Sequence, residues 1–232
     1  WNWDKCNTLT AEMLKDVVTY LKSHPQIREV ILTGGEPFLL NLEFLDNILS
    51  AISSVESIEV IRIGSRILSF LPQRITDDVT AVLSKYSPIW IVTHFNHPNE
   101  FTQETENAVK KILRSGCALC NQSVLLKDIN DSVDVMKNLV HALQNILIKP
   151  YYIFHPDLIE GTSHFRGSIE NGIQIMKSLR GYTGGICVPY YVVDLPEGGK
   201  VPLLPEYILK KTENGILFSN YEDKEIFYNG NS

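Results

Sequence analysis

The chain has 232 residues, of which 44% are hydrophobic and 21% are charged, and its formal net charge is −6 at pH 7. This composition predicts a folded globular protein, and the lack of a basic excess argues against nucleic acid as a partner. We also predict no membrane-spanning helix, because no apolar run approaches the roughly 20 residues that such a helix needs.

Apolar runs of strand length alternate along the chain with stretches that have helical periodicity, which predicts a repeated βα unit. The predicted parallel strands are residues 29–33, 58–64, 89–95, 119–126 and 148–155. Three helical faces are predicted from apolar residues at positions i, i+3, i+4 and i+7. These faces are Leu14, Val17, Val18 and Leu21; Leu45, Ile48, Leu49 and Ile52; and Met136, Leu139, Val140 and Leu143.

Short polar side chains mark the predicted starts of the helices, because they can accept hydrogen bonds from the first free amides of a helix. These residues are Thr10, Asn41, Thr76, Thr102 and Ser168. Gly116 is placed to end a helix in the left-handed conformation.

From residue 181 the pattern changes to glycine-rich turns and short strands, predicted at residues 188–194, 207–211, 216–219 and 225–228. We therefore predict an α/β core over residues 1–180 and a β-rich extension over residues 181–232. Periodicity leaves open whether the core is an open sheet or a barrel. In both folds the chemistry lies at the carboxyl ends of the strands.

Gly34-Gly35-Glu36-Pro37 follows the first predicted strand. Two glycines allow a ligand to approach the backbone closely, and a carboxylate suits a cationic amine. An ordinary βα turn has the same composition, so this alternative stays open.

Polar clusters stand at the ends of the next three strands, at residues 64–66, 93–100 and 121–123. Each cluster alone is compatible with a hydrated loop, and His94 and His97 with histidines that have only structural hydrogen bonds. Because the clusters recur at successive strand ends, they predict a shared pocket.

Cys117 and Cys120 form a C-x-x-C pair, whose spacing suits zinc binding or thiol exchange. A tetrahedral zinc site needs four ligands and a second pair is lacking, so we favour two buried thiols. The four cysteines are too few and too scattered for a disulfide scaffold, which favours the cytoplasm.

Asp157 and Asp194 follow later strands, and Lys200 follows two glycines. The lysine amine is placed where it can reach a carbonyl group, as a Schiff-base lysine must, although a surface lysine in a turn remains the alternative.

Several longer segments together resemble the lysine 2,3-aminomutase family of radical S-adenosylmethionine enzymes, which also use pyridoxal phosphate. The resemblance covers nearly the whole chain. It is carried by residues 24–28 (HPQIR), 34–37 (GGEP), 61–66 (IRIGSR), 71–76 (LPQRIT), 93–100 (THFNHPNE), 121–126 (NQSVLL), 164–166 (HFR), 193–194 (VD) and 198–200 (GGK).

The resemblance implies an α/β fold, a partial, open TIM-type (β/α) barrel with a short β-rich carboxyl-terminal extension. It implies that Lys200 carries pyridoxal 5'-phosphate and that Asp157 and Asp194 bind the far ammonium of the substrate. It also implies that S-adenosyl-L-methionine contacts Gly34, Gly35, Glu36, Pro37, Arg66, His94, Asn96 and Gln122.

The activity implied is that of an isomerase, which interconverts L-lysine and β-lysine by 2,3-amino migration through a pyridoxal-phosphate aldimine and a deoxyadenosyl radical. A reducing partner for a [4Fe-4S] cluster and a homo-oligomer are implied as well. The cluster signature C-x-x-x-C-x-x-C does not occur in the chain, so we expect its ligands upstream of Trp1, with no metal held by this chain.

Two departures concern the substrate pocket. Phe154 stands where lysine enzymes of the family usually have tyrosine, and the loop at residues 196–199 is shorter than usual. Other possible functions are therefore a relative that acts on arginine or glutamate, one that supplies β-lysyl groups to a translation factor, a binding protein without a cluster, and an ordinary Schiff-base lyase.

Overall fold

The computed structural model describes residues 9–195 and 198–229. Trp1 and residues 196 and 197 of the loop before Lys200 lie outside the described residues. The described residues divide into two units, the first of residues 9–93 and 102–119 and the second of residues 94–101, 120–195 and 198–229.

The first unit alternates strands and helices, as predicted. Its elements are α1 (Ala11–Ser23), β1 (Glu29–Leu32), α2 (Leu42–Ser53), β2 (Val60–Gly64), α3 (Ile67–Phe70), α4 (Asp77–Lys85), β3 (Trp90–Thr93) and α5 (Gln103–Arg114). β1 pairs in parallel with β2, and β2 with β3. The carboxyl ends of these strands therefore point in the same direction.

The second unit contains most of β4, which begins within the first unit, and then continues the same alternation. The elements are β4 (Ala118–Val124), α6 (Val133–Asn145), β5 (Lys149–Phe154), α7 (Ile169–Leu179), β6 (Tyr190–Leu195), β7 (Gly199–Pro202), β8 (Ile208–Thr212), β9 (Gly215–Ser219) and β10 (Glu225–Asn229). β4, β5 and β6 pair in parallel, and β8, β9 and β10 form an antiparallel sheet.

The predicted helix starts are confirmed by side-chain hydrogen bonds. Thr10, Asn41, Thr76, Thr102 and Ser168 each accept a hydrogen bond from an amide of the first helical turn. Ser132 caps α6 in the same way, which the sequence analysis did not predict. Gly116 has φ +83°, and an added Cβ would lie 2.3 Å from the Ser87 hydroxyl, so glycine is required there.

Two of the three predicted helical faces are fully buried. The four apolar residues of α2 are at most 2% exposed, and those of α6 at most 1%. In α1 the buried face is narrower than predicted, because Leu14 and Leu21 are buried whereas Val17 is 38% exposed. Among the described helices, none has both the length and the hydropathy needed to cross a bilayer.

One element differs from the sequence analysis in a way that concerns the site. Residues 198–200 were expected as a glycine-rich turn, but Gly199–Pro202 forms β7, which pairs with β6 in antiparallel orientation. Gly199 has φ +68°, a left-handed conformation that reverses the chain direction, and Lys200 then lies in the strand rather than in the loop.

Candidate functional site

The loop after β1 exposes its backbone. Gly34 has φ +127°, a conformation that favours glycine, and an added Cβ at Gly34 or Gly35 would meet no atom within 4 Å. Pro37, by contrast, is buried and begins a short 3-10 turn. The peptide groups of the two glycines are therefore open to solvent.

The Glu36 carboxylate links the loops that follow β1 and β2. Its Oε1 accepts hydrogen bonds from the Ser65 hydroxyl at 2.6 Å and from the Phe38 amide at 3.2 Å. Its Oε2 accepts one from the Arg66 amide at 2.9 Å. A carboxylate has about four acceptor positions, so three donors leave little capacity for a ligand. Glu36 thus holds the two loops together, while the Arg66 side chain remains exposed.

The loop after β3 is held by the buried side chain of Asn121. Its Oδ1 accepts from the Phe95 amide at 2.7 Å, and its Nδ2 donates to the Phe95 carbonyl at 3.1 Å. The Ser123 hydroxyl also donates to that carbonyl, at 2.7 Å. Asn121 is 1% exposed and Ser123 is 2% exposed. Both backbone groups of Phe95 are therefore satisfied by side chains of β4.

Asn130 forms a second buried link to the same loop. Its Nδ2 donates to the carbonyls of Asn96, at 2.7 Å, and of Val124, at 2.9 Å, while its Oδ1 accepts from the Leu126 amide at 2.6 Å. The Asn96 Oδ1 in turn accepts from the Val124 amide at 2.8 Å. Asn96 is therefore held both by its backbone carbonyl and by its side-chain oxygen.

Glu100 completes the loop after β3. Its Oε1 accepts from the amides of Asn96 and His97, both at 2.7 Å. The His97 ring nitrogen Nδ1 accepts from the Asn99 amide at 3.1 Å, so His97 caps a short 3-10 turn. This hydrogen bond supports the interpretation of His97 as a histidine with a structural role. His94 remains half-buried at the start of the loop.

Lys200 of β7 lies over two aromatic rings of β5, the strand on the other side of β6. Its Nζ is 4.7 Å from the Phe154 ring centroid and 5.1 Å from the Tyr152 ring centroid. Gln122 is paired opposite Tyr152 in the sheet and is half-buried. Contact with the two rings restricts the Lys200 side chain, which extends from the exposed strand β7.

The two candidate carboxylates also belong to the second unit. Asp194 is paired directly opposite Lys200 in the β6–β7 hairpin, so the two side chains leave the same face of the hairpin. Asp157 follows β5, and its backbone carbonyl accepts a hydrogen bond from Arg166 Nη2 at 3.0 Å. The side chains of Lys200, Asp157 and Asp194 are all exposed. They are thus available to ligands, in contrast to the buried amides.

The cysteine pair has the properties of buried thiols. Cys117 is 4% exposed, Cys120 is 6% exposed, and both are free cysteines. Burial raises the pKa of the Cys117 thiol, which makes the thiolate form scarce at neutral pH. Over residues 9–195 and 198–229, no group of three His, Cys, Asp or Glu residues could hold a metal ion.

Several residues that shape the site were not assigned in the sequence analysis, although some lie within its quoted motifs. They are Ser65, Glu100, Asn121, Ser123 and Asn130. Asn121 and Ser123 alternate with period two in a strand that was predicted to be buried, which indicates polar groups with partners inside the fold. Asn130 has no comparable signal, because its partners depend on the folded loop.

Comparison with known sequences gives consistent relatives. A family model described as Lysine-2,3-aminomutase matches residues 176–229. L-lysine 2,3-aminomutase of Methanococcus maripaludis is 47% identical over 220 residues, which cover 94% of this chain and 51% of that protein. Glutamate 2,3-aminomutase of Clostridioides difficile is 41% identical over 215 residues, which cover 92% of this chain and 51% of that protein. The chain spans about half the length of the curated relatives it matches.

Comparison with solved structures shows the fold. A radical SAM methyltransferase from Sphaerobacter thermophilus aligns with a TM-score of 0.58 at 17% identity, covering 82% of this chain and 60% of that one. The prediction of a partial (β/α) barrel with a β-rich extension is therefore confirmed.

Proposed function

The chain belongs to the lysine 2,3-aminomutase family over the half of those relatives that it spans, and on this premise we propose that its protein is an aminomutase. The proposed reaction moves the α-amino group of L-lysine to the β carbon and is reversible. The observation that carries the proposal is the hairpin of β6 and β7, in which Lys200 lies opposite Asp194 with its amine over the Phe154 ring.

The proposed cofactors are pyridoxal phosphate, S-adenosylmethionine and a [4Fe-4S] cluster. When bound, they supply radical chemistry and an electron sink that protein side chains lack. The residues present fit the first two groups. Lys200 offers an exposed amine to a carbonyl, and the open backbone of Gly34 and Gly35 leaves room for an approaching ligand. We assign pyridoxal phosphate to Lys200.

For S-adenosylmethionine, the proposed contacts in the first unit are Gly34, Gly35, Glu36, Pro37 and Arg66, and those in the second unit are His94, Asn96 and Gln122. The hydrogen bonds of Glu36 refine its proposed role. Because its carboxylate already accepts from Ser65 and Arg66, it shapes the loop whose backbone receives the ligand amine. The Asn96 side chain is held in place because its Oδ1 accepts from the Val124 amide.

Asp157 and Asp194 determine the proposed substrate. Two exposed carboxylates attract a distal ammonium group and repel a distal carboxylate, so they favour lysine over glutamate. The two side chains are exposed in the free protein, and binding of an ammonium group between carboxylates would neutralise the repulsion between them. This charge argument favours the reaction named for the Methanococcus relative over the one named for the Clostridioides relative.

The aromatic residues of β5 have a positioning role in this proposal. Tyr152 and Phe154 alternate along the strand, so their rings share one face and lie against the Lys200 amine. An apolar floor excludes water from one side of the amine and reduces the number of rotamers that the lysine adopts. The amine is thereby held near one orientation before a ligand arrives.

Four further features belong to the proposal. We propose residues 1–180 as the barrel part and residues 181–232 as the extension that carries Lys200. The reducing partner of the cluster is a separate electron donor. We favour a homo-oligomer because the unpaired backbone groups of an exposed sheet edge can hydrogen-bond to a second chain. The cytoplasm is favoured because Cys117, Cys120 and Cys187 are free thiols.

The decisive experiment uses the whole protein that carries this chain, under anaerobic conditions with both organic cofactors and a chemical reductant. L-lysine labelled with ¹⁵N at the α-amino group is supplied, and the proposal predicts β-lysine with the label at carbon 3. L-glutamate and L-arginine are tested in parallel. Isomerisation of glutamate alone would contradict the substrate assignment, and inertness with every amino acid would favour a binding protein.

A further inference from the structure

His155 and Tyr191 form a buried hydrogen-bonded pair, and His155 lies two residues before Asp157 in the chain. His155, the first residue after β5, is 9% exposed, and its Nδ1 lies 2.8 Å from the Tyr191 hydroxyl. The two rings meet edge to face, with centroids 6.2 Å apart. The His155 amide donates to the Val192 carbonyl at 2.7 Å. Side chain and backbone together therefore fix the position two residues before Asp157.

The fold makes specific room for the Tyr191 hydroxyl. Tyr191 is 1% exposed, and a Cβ at Gly172 of α7 would lie 2.2 Å from its Cζ and 2.5 Å from its oxygen. A glycine within a helix is unfavourable for helix formation, so its presence here indicates that the phenol end must pass close to α7. Phenylalanine would fill the same core space, and among the described residues the hydrogen bond that the hydroxyl adds is the one to His155.

Both groups are neutral at neutral pH. Burial lowers the pKa of His155, and the Arg166 guanidinium lowers it further, while Asp157 and Glu170 oppose the shift. Burial, aided by Glu170, raises the pKa of Tyr191 to about 12. The contact is thus a neutral hydrogen bond in a dry environment, where loss of either partner leaves the other without compensation.

Asp157 is also held from its other side, because Arg166 Nη2 donates to its backbone carbonyl at 3.0 Å. Its carboxylate remains exposed, and its backbone is fixed by Arg166 and by the preceding His155. We propose that the His155–Tyr191 hydrogen bond positions the Asp157 carboxylate and thereby sets the affinity for the distal ammonium of the substrate. This inference rests on the proposed function. His155 and Tyr191 are positioning residues that act through Asp157.

The test measures binding rather than turnover alone. The whole protein, saturated with pyridoxal phosphate, is titrated calorimetrically with L-lysine and with L-norleucine, which has the same carbon chain but lacks the distal ammonium. Tyr191→Phe and His155→Leu are expected to weaken lysine binding roughly fivefold, the worth of one neutral hydrogen bond, and to leave norleucine binding unchanged. His155→Asn, which retains an acceptor near the Nδ1 position, is expected to keep most of the affinity.

The controls separate the inference from the function on which it rests. Tyr182→Phe removes a hydroxyl from a residue that is 57% exposed, and it should bind lysine as the natural protein does. Unchanged lysine affinity in Tyr191→Phe, or equal weakening for lysine and norleucine, would overturn the inference alone. If the unsubstituted protein binds no lysine, or if Asp157→Asn binds it equally well, the proposed function fails and the inference fails with it.

Discussion

Two segments of the second unit hold their proposed ligand-binding residues in opposite ways. The loop of residues 94–100 is fixed by the buried side chains of Asn121, Ser123 and Asn130. The β6–β7 hairpin is held by its backbone pairing, and its Lys200 and Asp194 side chains are exposed.

The comparison of these two segments shows which interactions are already formed before a ligand binds. In the loop, hydrogen bonds to buried amides define the backbone, so the free energy of unfolding depends on them. In the hairpin, the exposed amine and carboxylate contribute little to folding and are available for chemistry. Substitutions in the two segments should therefore affect different properties, namely stability in the loop and ligand binding in the hairpin.

The largest expected effect is on the hairpin side of this comparison. Lys200→Ala should abolish amino migration, because no other group is assigned to attach pyridoxal phosphate. Its free energy of unfolding should change by less than about 0.5 kcal/mol, since the side chain is exposed. Lys210→Ala, an exposed lysine in β8, is the control for both measurements. A Lys200→Ala protein that still turns over lysine would contradict the assignment.

The next largest effect is expected in the loop. Asn130→Ala removes three hydrogen bonds and leaves the Asn96 and Val124 carbonyls and the Leu126 amide without this partner. Denaturant unfolding should show a loss of about 3 kcal/mol. The exposed Asn47→Ala in α2 should change stability little by comparison. If both variants unfold at the same denaturant concentration, the buried amide does not hold the loop.

A smaller effect is expected from the link in the first unit. Ser65→Ala removes the donor to Glu36 Oε1 and the acceptor of the Ile67 amide, and it should cost about 1.5–3 kcal/mol, mainly because the first hydrogen bond involves a charged acceptor. Ser69→Ala is a matched control, since its hydroxyl donates to the Arg66 carbonyl at an exposed position. Equal destabilisation of the two variants would show that the hydrogen bond to Glu36 adds no more to the free energy of unfolding than an exposed hydrogen bond does.

The smallest effect concerns pH. Burial and the Arg166 guanidinium hold the pKa of His155 below its ordinary value, against Asp157 and Glu170, while Tyr191 stays neutral. The unfolded chain then binds a proton more readily than the folded one. The stability from this group is therefore fully present above the unfolded pKa of about 6.5 and is lost as the pH falls through the folded pKa.

Unfolding measured at a series of pH values, in the natural protein and in His155→Asn, isolates this contribution. The other five histidines are common to both proteins, so the difference between the two curves reports on His155. We expect the natural protein to lose more stability towards acid than the variant. Parallel curves would show that His155 titrates normally.

Local chemistry explains how much of the fold could be predicted from the sequence. The helix starts at Thr10 and Thr102 could be predicted because a cap needs only its own turn. The stripes of α2 and α6 could be predicted because burial repeats with the helical period. β7 could not, because four residues that include a glycine and a proline acquire their pairing only from β6.

The site was predicted in part for the same reason. Glu36 and Lys200 were singled out from their local motifs, but two of the donors to Glu36, Ser65 and Arg66, come from a loop that only the fold brings near it. Asn130 lies 34 residues from Asn96 in the sequence, and no local pattern connects them. The His155–Tyr191 contact joins two strands and likewise depends on the parallel register of β5 and β6.

The most direct test of the hairpin as the ligand-carrying segment is chemical trapping. The whole protein is loaded with pyridoxal phosphate, reduced with borohydride and digested, and the modified peptide is identified by mass spectrometry. We predict one modified lysine, Lys200, and loss of this covalent labelling when L-lysine is added before reduction. A label on another lysine, or no covalent label in a protein that isomerises lysine, would contradict this prediction.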